Sequence, residues 1–313
     1  MRKSVSALGV FIVISGVGFA GYKSFPTSLK AITKGFGIVL TRRDRTCGLH
    51  RTIEAFTEGD QLEKYFAVNS HVIESDGMLD KWGTPRGIFW SPKGTGLHMI
   101  LAEEEERLYG SGLTGVKFGD VVLDCGANIG AFTHEALARG AKLVVAIEPV
   151  TENLECLRRN FASQIATGTV ILYPKGVWHK DDELMMTVQD NSVGDSFVIK
   201  SAGGRQVKFK VTTIDKLVVE LNLPRVDFIK MDIEGAERNA LQGGRATIAR
   251  YKPRMTLSTE HLADDVKVIP TLVRQARSDY QQVGRVRDRR PIRRAAERTP
   301  FLLIRPGNDL RTF

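Results

Sequence analysis

From Val116 onward the chain alternates short apolar runs with stretches whose apolar residues recur every three or four positions. The runs VVLDC (residues 121–125), KLVVAIE (142–148) and GTVILYP (168–174) read as strands buried on both faces, because they lack the polar alternation of a half-exposed sheet. The stretches between them, up to Gly140 and through ENLECLRRNFA (152–162), read as helices. This βαβαβ grammar predicts an α/β fold, a doubly wound and mostly parallel sheet with helices on both faces. Further strands are expected in VDFIKMDIE, RMTLSTEH and TPFLLIR, while LMMTVQ and VKFKVT should form a hairpin or edge excursion.

Residues 25–115 carry little periodicity. DKWGTPRGIFWSPKGTG concentrates Gly, Pro and aromatic residues and predicts short strands and turns, followed by a helix through LHMILAEEEERLYG, together a small cap region. Glu103, Glu104, Glu105 and Glu106 are expected to be a solvated helix face without chemistry, since sequence neighbours point in different directions around a helix. Ahead of the cap, Val5 to Tyr22 contain no charge, and such a run is about as long as the shortest membrane-spanning helices, roughly 17 residues. Lys23, Lys30, Lys34, Arg42 and Arg43 follow it. That basic flank favours a membrane anchor with the catalytic domain on the cytoplasmic side; small residues at Gly18 and Ala20 leave a cleaved signal peptide and export as the alternative. The expected division is therefore 1–24 anchor or signal, 25–115 cap, and 116–313 main domain.

The composition adds two constraints. Lys plus Arg number 45 against 36 Asp plus Glu, a net charge of +9, which suits an acidic partner without naming one. Seven arginines crowd into residues 283–298, but no aromatic platform accompanies them. A solvated loop or a contact with acidic lipid is the expected reading; a nucleic-acid methyltransferase whose arginines grip phosphates is the alternative, and nucleic acid is not the expected partner. The three cysteines, Cys47, Cys125 and Cys156, have neither disulfide-framework nor zinc spacing, and Cys125 and Cys156 read as packing residues.

The chemistry lies at the strand ends. Ligands of open α/β sheets bind at the carboxyl ends of the strands, where Asp124, Glu148, Asp232 and Glu260 should converge. The turn Asp124-Cys-Gly126-Ala-Asn128-Ile-Gly130 departs from a dinucleotide fingerprint, because an aspartate directly ahead of the first glycine disfavours a pyrophosphate and suits a cationic group. Gly126 and Gly130 permit close backbone approach, and Glu148 can accept hydrogen bonds from ribose hydroxyls. A nucleoside with a cationic tail and no phosphate, S-adenosylmethionine, satisfies all of these.

DCGANIGAFT, VVAIEP with ENLECLRRNF, TTIDKL and VDFIKMDIEGAERNALQGG, in this order across residues 116–265, resemble the motifs of the FkbM-type methyltransferases. That resemblance implies a Rossmann-like class I methyltransferase, dependent on S-adenosylmethionine and acting on a hydroxyl oxygen of a small molecule or glycan. It places the cofactor loop on Asp124, Gly126, Asn128 and Gly130, the ribose-binding acid on Glu148, and the family signature on Lys230, Asp232, Glu234, Gly235 and Glu237. Asp232 should face the crevice, with Lys230 paired to it or to an acidic substrate, and Glu237 in a helix first turn. Glu260 or His261 could act as general base. Asp232, Glu234 and His261 lack tight ligand spacing, so no metal is expected. The competing reading from another class is a membrane-anchored binding protein that holds an acidic ligand on a methyltransferase-like fold.

Overall fold

The computed structural model describes residues 61–105, 109–110, 114–188, 205–286 and 301–306. The run 5–22, Cys47 and most of the basic stretch 283–298 lie outside the described residues. Among the described residues no helix is long and apolar enough to cross a membrane. The elements belong to one compact unit, Leu62–Arg287 with Thr299–Phe313.

The central sheet is built from β4 (Val121–Cys125), β5 (Leu143–Ile147), β6 (Val170–Tyr173), β10 (Phe228–Met231), β11 (Arg254–Ser258), β12 (Tyr280–Val286) and β13 (Phe301–Pro306), in the order β12-β13-β11-β10-β4-β5-β6. β6, β5, β4, β10 and β11 run parallel, and β13 pairs antiparallel with both β11 and β12. The chain leaves β4 toward β5 and β6 on one side and later returns to β10 and β11 on the other. The carboxyl ends of β4 and β10 thus flank the topological switch point where ligands of such sheets bind.

Alternate residues of the strands feed two cores. Val122, Val144, Ala146 and Phe228 face Phe132 and Ala136 of α2 (Ala131–Ala138) and Leu154 and Leu157 of α3 (Thr151–Asn160). Leu123, Val145, Ile147, Ile229 and Met231 face the helices α5 (Ile214–Glu220), α6 (Glu237–Gln242), α7 (Arg245–Tyr251) and α8 (Asp265–Ala276). Burial on both faces is why these strands read as unbroken apolar runs. A short helix, α4 (Ala162–Ala166), follows α3. Cys125 and Cys156 are buried free thiols.

The predicted hairpin is present: β8 (Asp182–Val188) pairs antiparallel with β9 (Arg205–Thr212), which also takes the two-residue β7 (Gly176–Val177) as a parallel neighbour. In the cap, β1 (His71–Asp76), β2 (Leu79–Thr84) and β3 (Gly87–Pro92) form an antiparallel meander ahead of α1 (Leu97–Glu105). Phe66, Leu79, Phe89, Leu97 and Leu101 pack with Ile129 of the turn after β4, Ala131 of α2 and Cys156 of α3. Asn160 reinforces that contact, accepting from the Trp90 amide at 2.6 Å and donating to the carbonyls of Trp90 at 3.1 Å and Ile129 at 2.9 Å.

One expectation is corrected. The basic stretch begins as a strand, because residues 284–286 pair with 301–303 of β13. An edge position tolerates arginine, and charge on an edge discourages pairing with other chains.

Candidate active site

β4 delivers Asp124 to the interior of the sheet, fully buried. Its Oδ2 accepts from Thr133 Oγ1 at 2.7 Å and its Oδ1 lies 3.4 Å from Lys230 Nζ. The pairing follows from register, since the parallel β4–β10 ladder sets Lys230 directly opposite Asp124. Lys230 Nζ also donates to the Gly126 carbonyl at 2.7 Å and sits 5.1 Å from the centre of the Tyr109 ring. Burial alone would lower the lysine pKa, but Asp124, Asp232 and Glu104 together hold it above the ordinary value, so the ammonium persists. Lys230 is therefore engaged beneath the turn, paired with Asp124.

The amides of the turn are taken up by the turn and by the end of β5. The amides of Gly126 and Ala127 both donate to the Ile147 carbonyl at 3.1 Å, and that of Gly130 to the Ala127 carbonyl at 2.8 Å. Asn128 N–H donates to Glu148 Oε2 at 2.9 Å, and Ile129 N–H to the Asn128 side-chain oxygen at 2.7 Å. Five successive amides are thus spent internally, whereas a phosphate-binding turn aims such amides at its ligand. Glu148 Oε1 accepts in addition from Val150 N–H at 2.9 Å, tying the turn to the start of α3. Gly126 and Gly130 hold φ of 79° and 93°. A Cβ on Gly126 would stand 2.1 Å from the Asp232 carbonyl oxygen, and one on Gly130 2.2 Å from the Phe161 ring. The glycines thus make room for the protein's own Asp232 carbonyl and Phe161 ring, while the spent amides and acidic groups oppose a pyrophosphate and suit a cationic nucleoside.

Beyond β10 the chain turns through Glu234 and Gly235, at φ of 52° and 96°, into α6. Asp232 is tethered by its amide to the Cys125 carbonyl at 3.2 Å, and its Oδ2 accepts from Tyr109 Oη at 3.1 Å. His261, three residues past the end of β11, places Nε2 at 3.2 Å from Glu234 Oε2 and 3.7 Å from Asp232 Oδ1. Its Nδ1 lies 3.2 Å from Oε1 of Glu237, a buried carboxylate that also accepts from the Ile233 amide at 2.9 Å. Burial works against the imidazolium, but Glu234, Glu237 and Asp232 overcome it and push the His261 pKa up to about 12. Glu237 therefore does two things: it opens α6 and it holds His261. Glu260 is exposed.

The motifs that build this crevice are shared with known proteins. The model of the methyltransferase FkbM domain matches residues 124–283, just over half of the chain. The chain belongs to the FkbM methyltransferase family. A relative of this methyltransferase is the hexuronic acid methyltransferase AglP of Haloferax volcanii, 27% identical over 181 residues that cover 58% of this chain and 67% of that protein. Among solved structures, methyltransferase FkbM from Methylobacillus flagellatus KT aligns with a TM-score of 0.47 at 19% identity. The alignment covers 81% of this chain but 59% of that one. The ribosomal protein L11 methylase from Lactobacillus delbrueckii subsp. bulgaricus aligns with a TM-score of 0.36 at 12% identity, over 66% and 77% of the two chains.

Two residues of this FkbM methyltransferase escaped the sequence reading, both from the cap. Tyr109 is buried and donates to Asp232. Glu104, expected on a solvated face, is buried. The signal was the spacing: Leu97, Leu101 and Glu104 stand at i, i+4 and i+7 and share one buried stripe of α1. The neighbouring Glu105 behaves as expected and pairs with Arg86 at 2.8 Å.

Burial pushes the Glu104 carboxyl from 4.5 up to about 8, with Lys230 and Arg86 opposing the shift. An acid with a raised folded pKa contributes fully below its unfolded pKa and costs stability as pH climbs toward the folded one, here between 4.5 and about 8. Glu104→Gln mimics the protonated form and should abolish that decline, which is at most about 1.4 kcal/mol per pH unit. Urea unfolding at both ends of the window checks this: wild type should lose ground to the variant as pH rises, and parallel pH profiles would contradict it.

Proposed function

We propose that this methyltransferase takes its methyl group from S-adenosylmethionine and transfers it to a hydroxyl oxygen of a glycan or small molecule, with a uronic acid sugar as the leading acceptor class. The observation that carries the reading is the turn after β4, where five consecutive amides are spent internally and the surrounding charge is acidic. Such a site has no donor array for phosphate and favours a cationic nucleoside. The acceptor class is suggested by the Haloferax volcanii relative, whose name specifies hexuronic acid.

Asp124, Gly126, Asn128, Gly130 and Glu148 would hold the donor. Glu148 would receive the ribose hydroxyls, Gly126 and Gly130 would shape the turn by admitting the Asp232 carbonyl and the Phe161 ring, and Asp124, paired with Lys230, would brace it from below. When bound, the donor contributes a methyl group on a sulfonium whose departure leaves a neutral sulfide. The remaining work of the chain is alignment and proton removal. Asp232, oriented by Tyr109, would take the proton of an acceptor hydroxyl as its oxygen takes the methyl, and His261 would balance the carboxylates around it.

Calorimetry with S-adenosylmethionine tests the first half. Glu148→Ala should weaken binding by about 1–3 kcal/mol through lost hydrogen bonds, and unchanged affinity would sink the assignment. The second half predicts a split at Asp232. Asp232→Asn keeps size and removes charge, so turnover should fall while donor affinity stays near wild type. A paired titration and single-turnover assay, with a uronic acid glycan as acceptor, reads it; equal turnover in both proteins removes Asp232 from the mechanism.

A further inference from the structure

We propose that Asp232, Glu234 and His261 form a site for one divalent cation of the Mg2+ or Mn2+ class at the carboxyl ends of β10 and β11. One ligand atom from each residue can be chosen so that all lie within 4.8 Å of one another. Around an ion with ligands at about 2.1–2.4 Å, adjacent ligand atoms stand about 3–3.4 Å apart and opposed ones about 4.2–4.8 Å, so a single ion can reach all three. The pairs already in contact agree: His261 Nε2 is 3.2 Å from Glu234 Oε2 and 3.7 Å from Asp232 Oδ1. Linear spacing hid the set, because His261 arrives from the next strand.

The imidazole supplies an independent observation. The His261 side chain is only 9% exposed and aims Nε2 at the two carboxylates, while Nδ1 faces the buried carboxylate of Glu237 at 3.2 Å. A metal-bound histidine characteristically turns its second nitrogen to a carboxylate; here Nδ1 has that neighbour at ion-pair distance, without an aligned hydrogen bond. Glu237 is itself pinned by the Ile233 amide, so the backing carboxylate is rigid. Glu237 Oε2 is buried with no hydrogen-bond partner, in keeping with a local excess of negative charge. Asp232 and Glu234 are 23% and 32% exposed, which leaves an open side for water or an acceptor oxygen. Two carboxylates and one imidazole, the imidazole releasing its Nε2 proton to solvent as the ion takes its place, form a hard, mixed donor set of the kind Mg2+ and Mn2+ accept.

The use of the ion rests on the hydroxyl acceptor proposed above, whose oxygen it would hold beside Asp232 and make more acidic. The binding itself does not, and the test separates the two. Full-length protein is titrated with Mn2+ alone and the free ion followed by electron paramagnetic resonance, with Mg2+ as competitor. Wild type should bind one ion per chain, displaced by Mg2+. Glu234→Gln and His261→Asn should each weaken binding by about tenfold or more, with Glu237→Gln a smaller loss through the imidazole. Because Glu234 is partly exposed and Gln nearly isosteric, an intact unfolding transition in Glu234→Gln assures that the loss is local. No stoichiometric binding by wild type at about 1 mM free Mn2+, or unchanged affinity in Glu234→Gln, overturns the site. Failure there with S-adenosylmethionine binding intact rejects the ion alone; Mn2+ binding without donor binding rejects the donor reading instead.

Discussion

Lys230→Met should cost the protein about 3–5 kcal/mol of stability, because it leaves a buried carboxylate without its counter-charge. Asp124 is fully buried and its Oδ1 has no hydrogen bond, so the ammonium 3.4 Å away is what offsets that oxygen's charge. The same substitution strips the Gly126 carbonyl of its 2.7 Å donor. Methionine fills much of the volume, so the loss reports charge more than packing. Denaturant unfolding at neutral pH measures it. A shift below about 1 kcal/mol would mean that Thr133 alone satisfies Asp124, and that the lysine belongs to substrate chemistry.

Gly126→Ala is the second large effect, and it strikes geometry. Its φ of 79° lies where an L-residue is strained by about 1–2 kcal/mol, and the added methyl would sit 2.1 Å from the Asp232 carbonyl oxygen. Backbone has to move, at a further cost of about 1–3 kcal/mol for an overpacked site. Asp232 is tethered to the end of β4 through its own amide, so the displacement reaches its carboxylate. Stability should fall and turnover should collapse together, measured by unfolding and by a methyl-transfer assay on protein kept below its transition. Wild-type activity in this variant would show that the close approach is not needed.

The parallel core was legible because β4, β5 and β6 are covered on both faces, which leaves an apolar run with no competing period. Asp124, Glu148 and Asp232 stood out in the sequence as carboxylates at the ends of such runs, and the structure gives the first two structural partners as well: Thr133 and Lys230 for Asp124, the Asn128 and Val150 amides for Glu148. What could not be read depends on registers and angles. Lys230 meets Asp124 through strand register across 106 residues of chain, counting from 124 to 230. Tyr109 reaches Asp232 over a sequence separation of 123. Glu104 was hidden by three neighbouring glutamates that obscured its place on a buried stripe. β12 was hidden because it carries two glutamines and a glycine and runs into the arginine-rich stretch, polar residues that an edge strand accepts and a propensity count penalises.

The self-contained turn after β4 has a thermodynamic consequence. Fixing a backbone residue costs about 1–2 kcal/mol of conformational entropy, and in a loop that orders around its ligand this penalty weakens affinity. Here Gly126 through Gly130 are already fixed by their own amides and by Glu148. The ordering penalty is met when the chain folds, and arrival of a ligand need not repeat it. Lesions in this turn should therefore surface first as proteins that melt early and only afterwards as proteins that bind weakly. A screen reading affinity alone would pass over them, while a screen reading melting temperature would find the turn.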